Sequence, residues 1–422
     1  MALLRTALPA LATLALLISA IAAQRKVVEE EPDKPRARDA QEPAQGKNPR
    51  PAAVTTLKVY EWGVATENWD GSPEPPEDVP SFYYRAEQIP IEAAPEKPVP
   101  AGQGQPNQQP DRPATKRKPV LYFECTQDIA FDLDIKFTCG VVTWLYPKAN
   151  RRIDATTVQW DNIRLRSDLA ERDKSPPPPQ LPGVADNHWA NYSREGSTSY
   201  VMVNGEAERF LFYEGSARYL PETDIFVRDG KVVVRNFTAE PLLDARVCVM
   251  LDSKLLRLHA ASVPAAGGDT PGEATLDPAA SLKSFGEAGT ITRETQAAGL
   301  TEAQAKVFER CWHNEMFELE GTLSWRRTPR QLDELMQLKL TLPTGVNSEV
   351  NRVGYVQVRG IDLGKIADYD ALVTKYLGGD ADALKKLKGT AGAGALRRAM
   401  LDSNRPLKER VLLAKALAEL AS

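Results

Sequence analysis

The chain reads as a mainly β protein, an antiparallel β-sandwich or open barrel with one packed helix and a small helical module at its C-terminal end. Three observations predict this. Apolar residues between Val54 and His259 recur with a period of two, and the runs are short and divided by turn residues. No helical period lies between those runs. That period appears only at Leu300–Leu319 and again from Ile366 onward.

In chain order, Met1 to Arg5 is a short positive start, Thr6 to Ala23 is apolar and uncharged, and Ala20-Ile21-Ala22 supplies a small-x-small cleavage pattern. Polar sequence resumes at Gln24-Arg25-Lys26. This is the anatomy of a secretory signal peptide cleaved near Ala22-Ala23, so the product is expected to be secreted or periplasmic. The alternative is an uncleaved N-terminal membrane anchor, since eighteen such residues just span a bilayer. Pro9, the alanine content and the clean cleavage pattern favour removal, and no cysteine follows to carry a lipid. Residues 24–53 read as a disordered tether, rich in charge and proline and almost without apolar side chains.

Residues 54–263 read as the β-sandwich domain. Ile129, Phe131, Leu133, Ile135 and Phe137 alternate with polar neighbours, which predicts one buried and one wet face. Similar runs are Thr56–Thr66, Pro119–Cys125, Val141–Tyr146, Thr157–Leu165, Thr198–Val203 and Arg209–Tyr213. Asp224–Val227, Lys231–Phe237, Ala245–Leu251 and Lys254–His259 complete the series. Asp229-Gly230 between two of them predicts a tight turn at positive φ. A Pro/Gln/Gly-rich stretch at 92–118 reads as a loose insertion, and Pro176–Pro179 and Pro264–Pro278 as exposed loops.

Residues 264–363 carry that last loop, the packed helix 300–319 and further strands at Gly321–Trp325, Met336–Leu342 and Arg352–Arg359. Thr301 and Gln304 form a T-x-x-Q capping box, and Phe308, Cys311, Trp312 and Leu319 are expected to line the packed face. The tail, 364–422, is helical, with Ala395–Leu401 and Lys408–Leu420 flanking the turn Asn404-Arg405-Pro406.

A net charge of −4 and a pI near 5.7 argue against a general nucleic-acid binder. Cys125, Cys139, Cys248 and Cys311 are too few for a disulfide framework in so long a chain. If Cys125 and Cys139 share a hairpin turning near Gln127–Ile129, the residue facing Cys125 lies near Asp132, so those two do not pair directly. Buried free thiols are the expectation.

Tyr60-Glu61-Trp62-Gly63-Val64, Lys118-Pro119-Val120-Leu121-Tyr122-Phe123 and Arg209-Phe210-Leu211-Phe212-Tyr213-Glu214-Gly215 resemble a family of uncharacterised secreted bacterial proteins. Those proteins carry an E-W-G opening, a K-P-V-x-Y-F strand and an F-L-F-Y-x-G strand. Thr143-Trp144-Leu145-Tyr146-Pro147 resembles the family's segment ending in Trp-Tyr-Pro, with a leucine inserted. His188-Trp189 to Glu195 and Cys311-Trp312 to Gly321 follow in the family's order. The likeness spans 54–363 and implies export, with no functional residues to carry over.

Three constellations have chemical potential. Glu61 shares a strand face with Leu57, Val59 and Gly63, and a lone carboxylate there would be raised in pKa as a general acid requires. The plainer reading is that Glu61 pairs with an arginine, or that its side of the strand is only half covered; Trp62 faces the other way. His188 and Trp189 with Arg194 and Glu195 combine an aromatic, two bases and a carboxylate fit for a sugar or an acidic group. The plainer reading, and the favoured one, is a loop pinned by a buried tryptophan with a surface ion pair. His313 lies on the predicted helix with Glu309 one turn behind, while Glu318 is expected on another face. Tyr83, Tyr84, Trp144, Tyr146 and Trp160 offer a possible sugar-stacking platform or simply core.

No H-E-x-x-H, clustered Cys/His, D-x-D-x-D-G, G-x-S-x-G, P-loop or dinucleotide fingerprint occurs. No metal and no cofactor are therefore expected. Asn191-Tyr192-Ser193 and Asn236-Phe237-Thr238 are glycosylation sequons. The sequence thus predicts an exported cell-envelope protein, non-enzymatic, binding an envelope protein or a carbohydrate. The alternative is a glycosidase-like hydrolase using Glu61 with Glu195 or Glu318, which requires two carboxylates about 5–10 Å apart in one cleft.

Overall fold

The structure is a computed structural model that describes residues 55–73, 82–91, 115–117, 119–166, 181, 184–186, 188–197, 199–217, 220–286 and 289–421. The expected signal peptide, tether, Pro176–Pro179 loop and most of the 92–118 insertion lie outside these residues.

The first strands are β1 (Thr55–Asn68), β2 (Tyr84–Arg85), β3 (Thr115–Arg117), β4 (Val120–Glu124), β5 (Ile129–Phe137) and β6 (Gly140–Tyr146). Next come β7 (Arg151–Arg152), β8 (Thr157–Arg166), helix α1 (Trp189–Ser193), β9 (Tyr200–Val203), β10 (Glu206–Glu208) and β11 (Leu211–Ala217). β12 (Thr223–Arg228), β13 (Lys231–Asn236), β14 (Leu242–Leu251), β15 (Lys254–Val263) and β16 (Gly272–Leu276) lead to α2 (Thr290–Ala297) and α3 (Glu302–His313). β17 (Thr322–Arg326), α4 (Pro329–Leu335), β18 (Met336–Thr341) and β19 (Val346–Arg359) precede the tail. The tail helices are α5 (Ile366–Leu377), α6 (Ala381–Lys386), α7 (Gly389–Leu401) and α8 (Leu407–Ala421).

The strands form three open sheets. A ten-stranded sheet runs β15-β14-β17-β19-β1-β3-β11-β6-β2, with β4 also between β1 and β11. A six-stranded sheet runs β10-β9-β8-β5-β18 with β7 on β8, and a three-stranded sheet runs β12-β13-β16. The fold is therefore a layered, mainly β structure, with one departure from the antiparallel expectation: β1 and β19 pair in parallel along their whole length. β1 is buried on both faces from Val59 to Ala65, where Glu61 is the one charged residue in an otherwise apolar run.

The large sheet divides the cores. On one face, Leu57, Val59, Leu121 and Tyr213 meet the six-stranded sheet. Further along the same face, Val247, Trp325 and Val356 meet Ile225 and Val234 of the three-stranded sheet. On the opposite face, Trp62, Tyr122, Phe212 and Tyr355 are covered by Phe308 of α3 and Ile291 of α2. Gly63 and Gly354 are register partners near the seam between the two smaller sheets, and Leu332 of α4 occupies the space a Cβ on Gly354 would need. A cavity of about 20 Å³ remains there, lined by Glu61, Gly63, Arg327, Leu332 and Gly354 among others.

Several expectations are corrected. Cys125 and Cys139 do not flank one hairpin: β4 belongs to the large sheet and β5 to the six-stranded one, so the chain changes sheets between them. All four cysteines are free, but Cys139 is exposed and only Cys248 is buried. Thr115–Arg117, expected in the loose insertion, pairs with β1 and β11. β16 lies inside the expected 264–278 loop, and α2 and α4 were not anticipated, because short polar segments give too little period to read. Asn236 is fully buried and donates to two carbonyls, so its sequon is closed in the folded chain.

The helix expected over 300–319 ends at His313 and continues as a π-turn, Asn314–Glu318. Its Thr301–Gln304 capping box is formed. In the tail, α7 and α8 make the expected helical hairpin.

Candidate functional site

Most of the sequence candidates lie on the helix-covered side of the large sheet, where α1 and the 3₁₀ turn Arg194–Gly196 pack beside α3. His188 caps α1: its Nδ1 accepts the Ala190 N–H at 3.2 Å, which assigns the ring proton to Nε2. Burial lowers the His188 pKa, consistent with a neutral ring. Trp189 packs on Phe212 and Phe210 with ring centroids 5.0 and 6.2 Å away.

Arg194 is committed to structure. It donates to Glu208 from Nε at 3.0 Å and from Nη2 at 2.6 Å, and Glu208 also accepts the Tyr146 hydroxyl at 2.8 Å. Glu208 has no exposed surface, so its charge depends on this pair. Glu195 points outward and meets Arg310 of α3 at 3.1 Å. The Arg310 guanidinium also lies over the Tyr192 ring, 3.3 Å from its centroid.

Between these elements is an open groove of about 590 Å³, lined by Glu195, Glu302, Ala303, Lys306, Val307 and Arg310. Glu302 and Lys306 pair at 2.6 Å across one helical turn, and that hydrogen bond holds the Glu302 carboxyl below its ordinary range. Two carboxylates thus share the groove, each beside a cation. The Glu302 carboxyl, held low, lacks the raised pKa of a general acid.

A half-buried aromatic cluster adjoins α1. Tyr83 stacks on Phe212 at 4.8 Å, Trp144 lies 6.4 Å from Tyr83, and the Arg85 guanidinium sits over Trp144 at 5.0 Å. A register shift between Glu214 and Gly215, opposite Thr143, helps put Trp144 and Tyr146 in the helix-side core while Val142 and Leu145 face the other. Trp160 does not join them. It is fully buried on β8, in the core between the six-stranded and large sheets, and donates to the Pro147 carbonyl at 3.0 Å.

The remaining candidates are separate. Glu61 faces the seam on the opposite side of the large sheet, accepting the Tyr213 hydroxyl at 2.7 Å and pairing with Arg352 at 2.5 Å. Arg352 also reaches Asp333 at 2.6 Å. Trp62 is buried under α3, edge-on to Phe308 at 5.6 Å. Glu318 pairs with Arg257 at 2.8 Å and accepts the Phe285 N–H at 3.2 Å. Its expected face is corrected by the π-turn, whose wider winding brings residues five apart together. His313 therefore lies between Glu309 at 3.9 Å and Glu318 at 4.0 Å. Glu61 shares no cleft with Glu195 or Glu318, because the sheet lies between them. Among the described residues, no group of three His, Cys, Asp or Glu side chains is placed to hold a metal ion.

Sequence reasoning missed Glu208, Glu302, Lys306, Arg310 and Arg352. The spacing Glu302-x-x-x-Lys306-x-x-x-Arg310 was the available signal for the groove ridge, since i,i+4 charges share a helix face. Glu208 and Arg352 have no local signal, as their partners lie on other elements.

No protein-family model and no curated protein matches the chain. Among solved structures, it is similar to the Fcho1 Mu homology domain of Danio rerio with bound Eps15 peptide, at 7 % identity and a TM-score of 0.29. That match covers 73 % of this chain and 95 % of the other. It is also similar to the yeast delta-COP-I mu-homology domain, at 8 % identity with 74 % and 97 % covered. The TM-score is 0.26 for that domain's complex with a Dsl1 WxWxV peptide and 0.25 for the domain alone. Scores this low establish neither a shared fold nor a shared ligand.

Proposed function

We propose that the chain is an exported, non-enzymatic binding module that takes a segment of an envelope protein in the groove between α1 and α3. One observation carries this reading. The groove is lined on the protein's surface by Arg310, which lies over the Tyr192 ring and pairs with Glu195, and arginine and tyrosine are residue types that anchor interfaces. Export rests on the apolar N-terminal segment and its cleavage pattern. A carbohydrate is the second reading, favoured by the half-buried Trp144 and Trp189 beside Arg85.

The test is site-specific photo-cross-linking from position 306 and from position 144 in the producing cell. A single protein adduct at 306 that disappears with Arg310→Glu supports the protein reading. A glycan adduct confined to 144 supports the second. Hydrolysis of a glycoside that is lost in Glu195→Gln or Glu302→Gln would overturn both. N-terminal sequencing of the exported product is expected to begin near Gln24, and a retained Met1 overturns the cleaved-export reading.

A further inference from the structure

We infer that the chain pairs with a second copy of itself through an apolar corner at the tip of the β14–β15 hairpin, remote in sequence from the α1 turn of the groove. Met250 and Leu255 are cross-strand partners there, 37 % and 36 % exposed. Cys248 lies two residues before Met250, on the same strand face, and its thiol contacts the Glu318 carbonyl at 3.7 Å. Leu319, 47 % exposed, is the next residue after Glu318. Leu282, 45 % exposed, donates its N–H to the Arg257 carbonyl at 2.8 Å, and Arg257 in turn pairs with Glu318. Four large exposed apolar side chains therefore surround one ion pair that is already neutralised, a grouping that singly scattered surface residues do not form.

The rim identifies the occupant. Asp252 and Glu320 are exposed acids, and Lys254 and Lys283 are exposed bases. Among the described residues none of the four has an ion-pair partner within the chain. A face with two charges of each sign around an apolar centre can set each charge against its opposite on a second copy, the pairing an isologous interface uses. Nucleic acid or an anionic membrane would instead call for a positive surplus.

Sedimentation velocity on the purified chain, under reductant so that the exposed Cys139 cannot cross-link copies, reads the result directly. A concentration-dependent dimer is expected. Leu319→Glu and Leu282→Asp should each weaken it roughly tenfold or more, with melting temperatures unchanged because both positions are exposed. Lys254→Glu with Lys283→Glu makes all four rim charges negative and should also weaken it. Adding Asp252→Lys and Glu320→Lys restores two of each sign and should restore the dimer. A monomer at every concentration, a dimer indifferent to both leucine variants, or a dimer that tolerates the double lysine reversal would each overturn the inference. None of these outcomes touches the groove reading, whose readout is cross-linking at position 306.

Discussion

At the residue scale, the energetics separate Glu61 from Glu195 although both are glutamates paired with arginine. Burial by itself would lower the Arg352 pKa, but the Glu61 charge beside it prevails and keeps the guanidinium firmly protonated. Removing one partner strands the other in the core. Glu61→Ala is expected to lower the unfolding free energy by roughly 3–5 kcal/mol in urea titration. Glu195→Ala, which breaks a solvated pair, should cost less than about 1 kcal/mol. Equal losses for the two would show that the seam pair does not behave as a buried one. Glu309 supplies the pH dependence. Burial raises its carboxyl, but the Thr292 hydroxyl and the Gly289 and Thr292 N–H groups outweigh this and hold it below its ordinary range. A depressed carboxylate stabilises the fold above its unfolded pKa, and that contribution disappears as pH falls through the lowered value. Melting temperature should therefore fall on acidification, and less steeply in Glu309→Gln.

At the element scale, backbone geometry explains what the period could not. Asp229 and Gly230 both have positive φ, 52° and 70°, the two-residue hairpin turn that the dipeptide predicts. Asp252 and Ser253 adopt the same geometry at 48° and 61° without a glycine. Ser253→Gly should raise stability by about 1 kcal/mol, measured by denaturant midpoint, because a Cβ is disfavoured in the left-handed region. A fall in midpoint would show that the serine side chain has an offsetting contact. The π-turn after α3 is the other decisive element. It seats Met316 and Phe317 in the core, and the Gln357 amide donates to the Glu315 carbonyl within it. Glu318 can then return beside His313. A uniform 3.6-residue reading places Glu318 elsewhere, and nothing in the local composition marks the extra residue.

At the scale of the whole molecule, the tail helices belong to the β body rather than hanging from it. Ala391 of α7 donates its N–H to the Trp69 carbonyl at 2.8 Å, Thr390 bonds Glu67 at 2.8 Å, and Arg398 pairs with Asp224 of β12. Small residues permit this approach: a Cβ on Gly394 would collide with the Asp224 carboxylate. Residues 53–422 form one compact unit, so calorimetry on this part of the chain should give a single cooperative transition. Deleting Ile366–Ser422 should lower its melting temperature and expose Trp69 to quenchers. A truncated chain that melts unchanged would mean that α7 contributes no packing to the core it touches.

The sequence by itself determined most of the longer strands, the capped start of α3, the Asp229-Gly230 turn and the helical tail, because each depends on residues a few positions apart. Ile129 to Phe137 shows its buried face by alternation alone, and Thr301 needs only Gln304 to declare a helix start. It also supplied the groove's charges, since Glu302, Lys306 and Arg310 repeat at helical spacing. Only the tertiary structure decided which charges meet. Glu61 finds Arg352 from 291 positions away, and Glu195 finds Arg310 from 115. The parallel pairing of β1 with β19 is equally invisible locally, because period two fixes which face is buried and says nothing about which strand lies alongside. Charge pairing and strand pairing are long-range choices, made when separate elements close on a shared core.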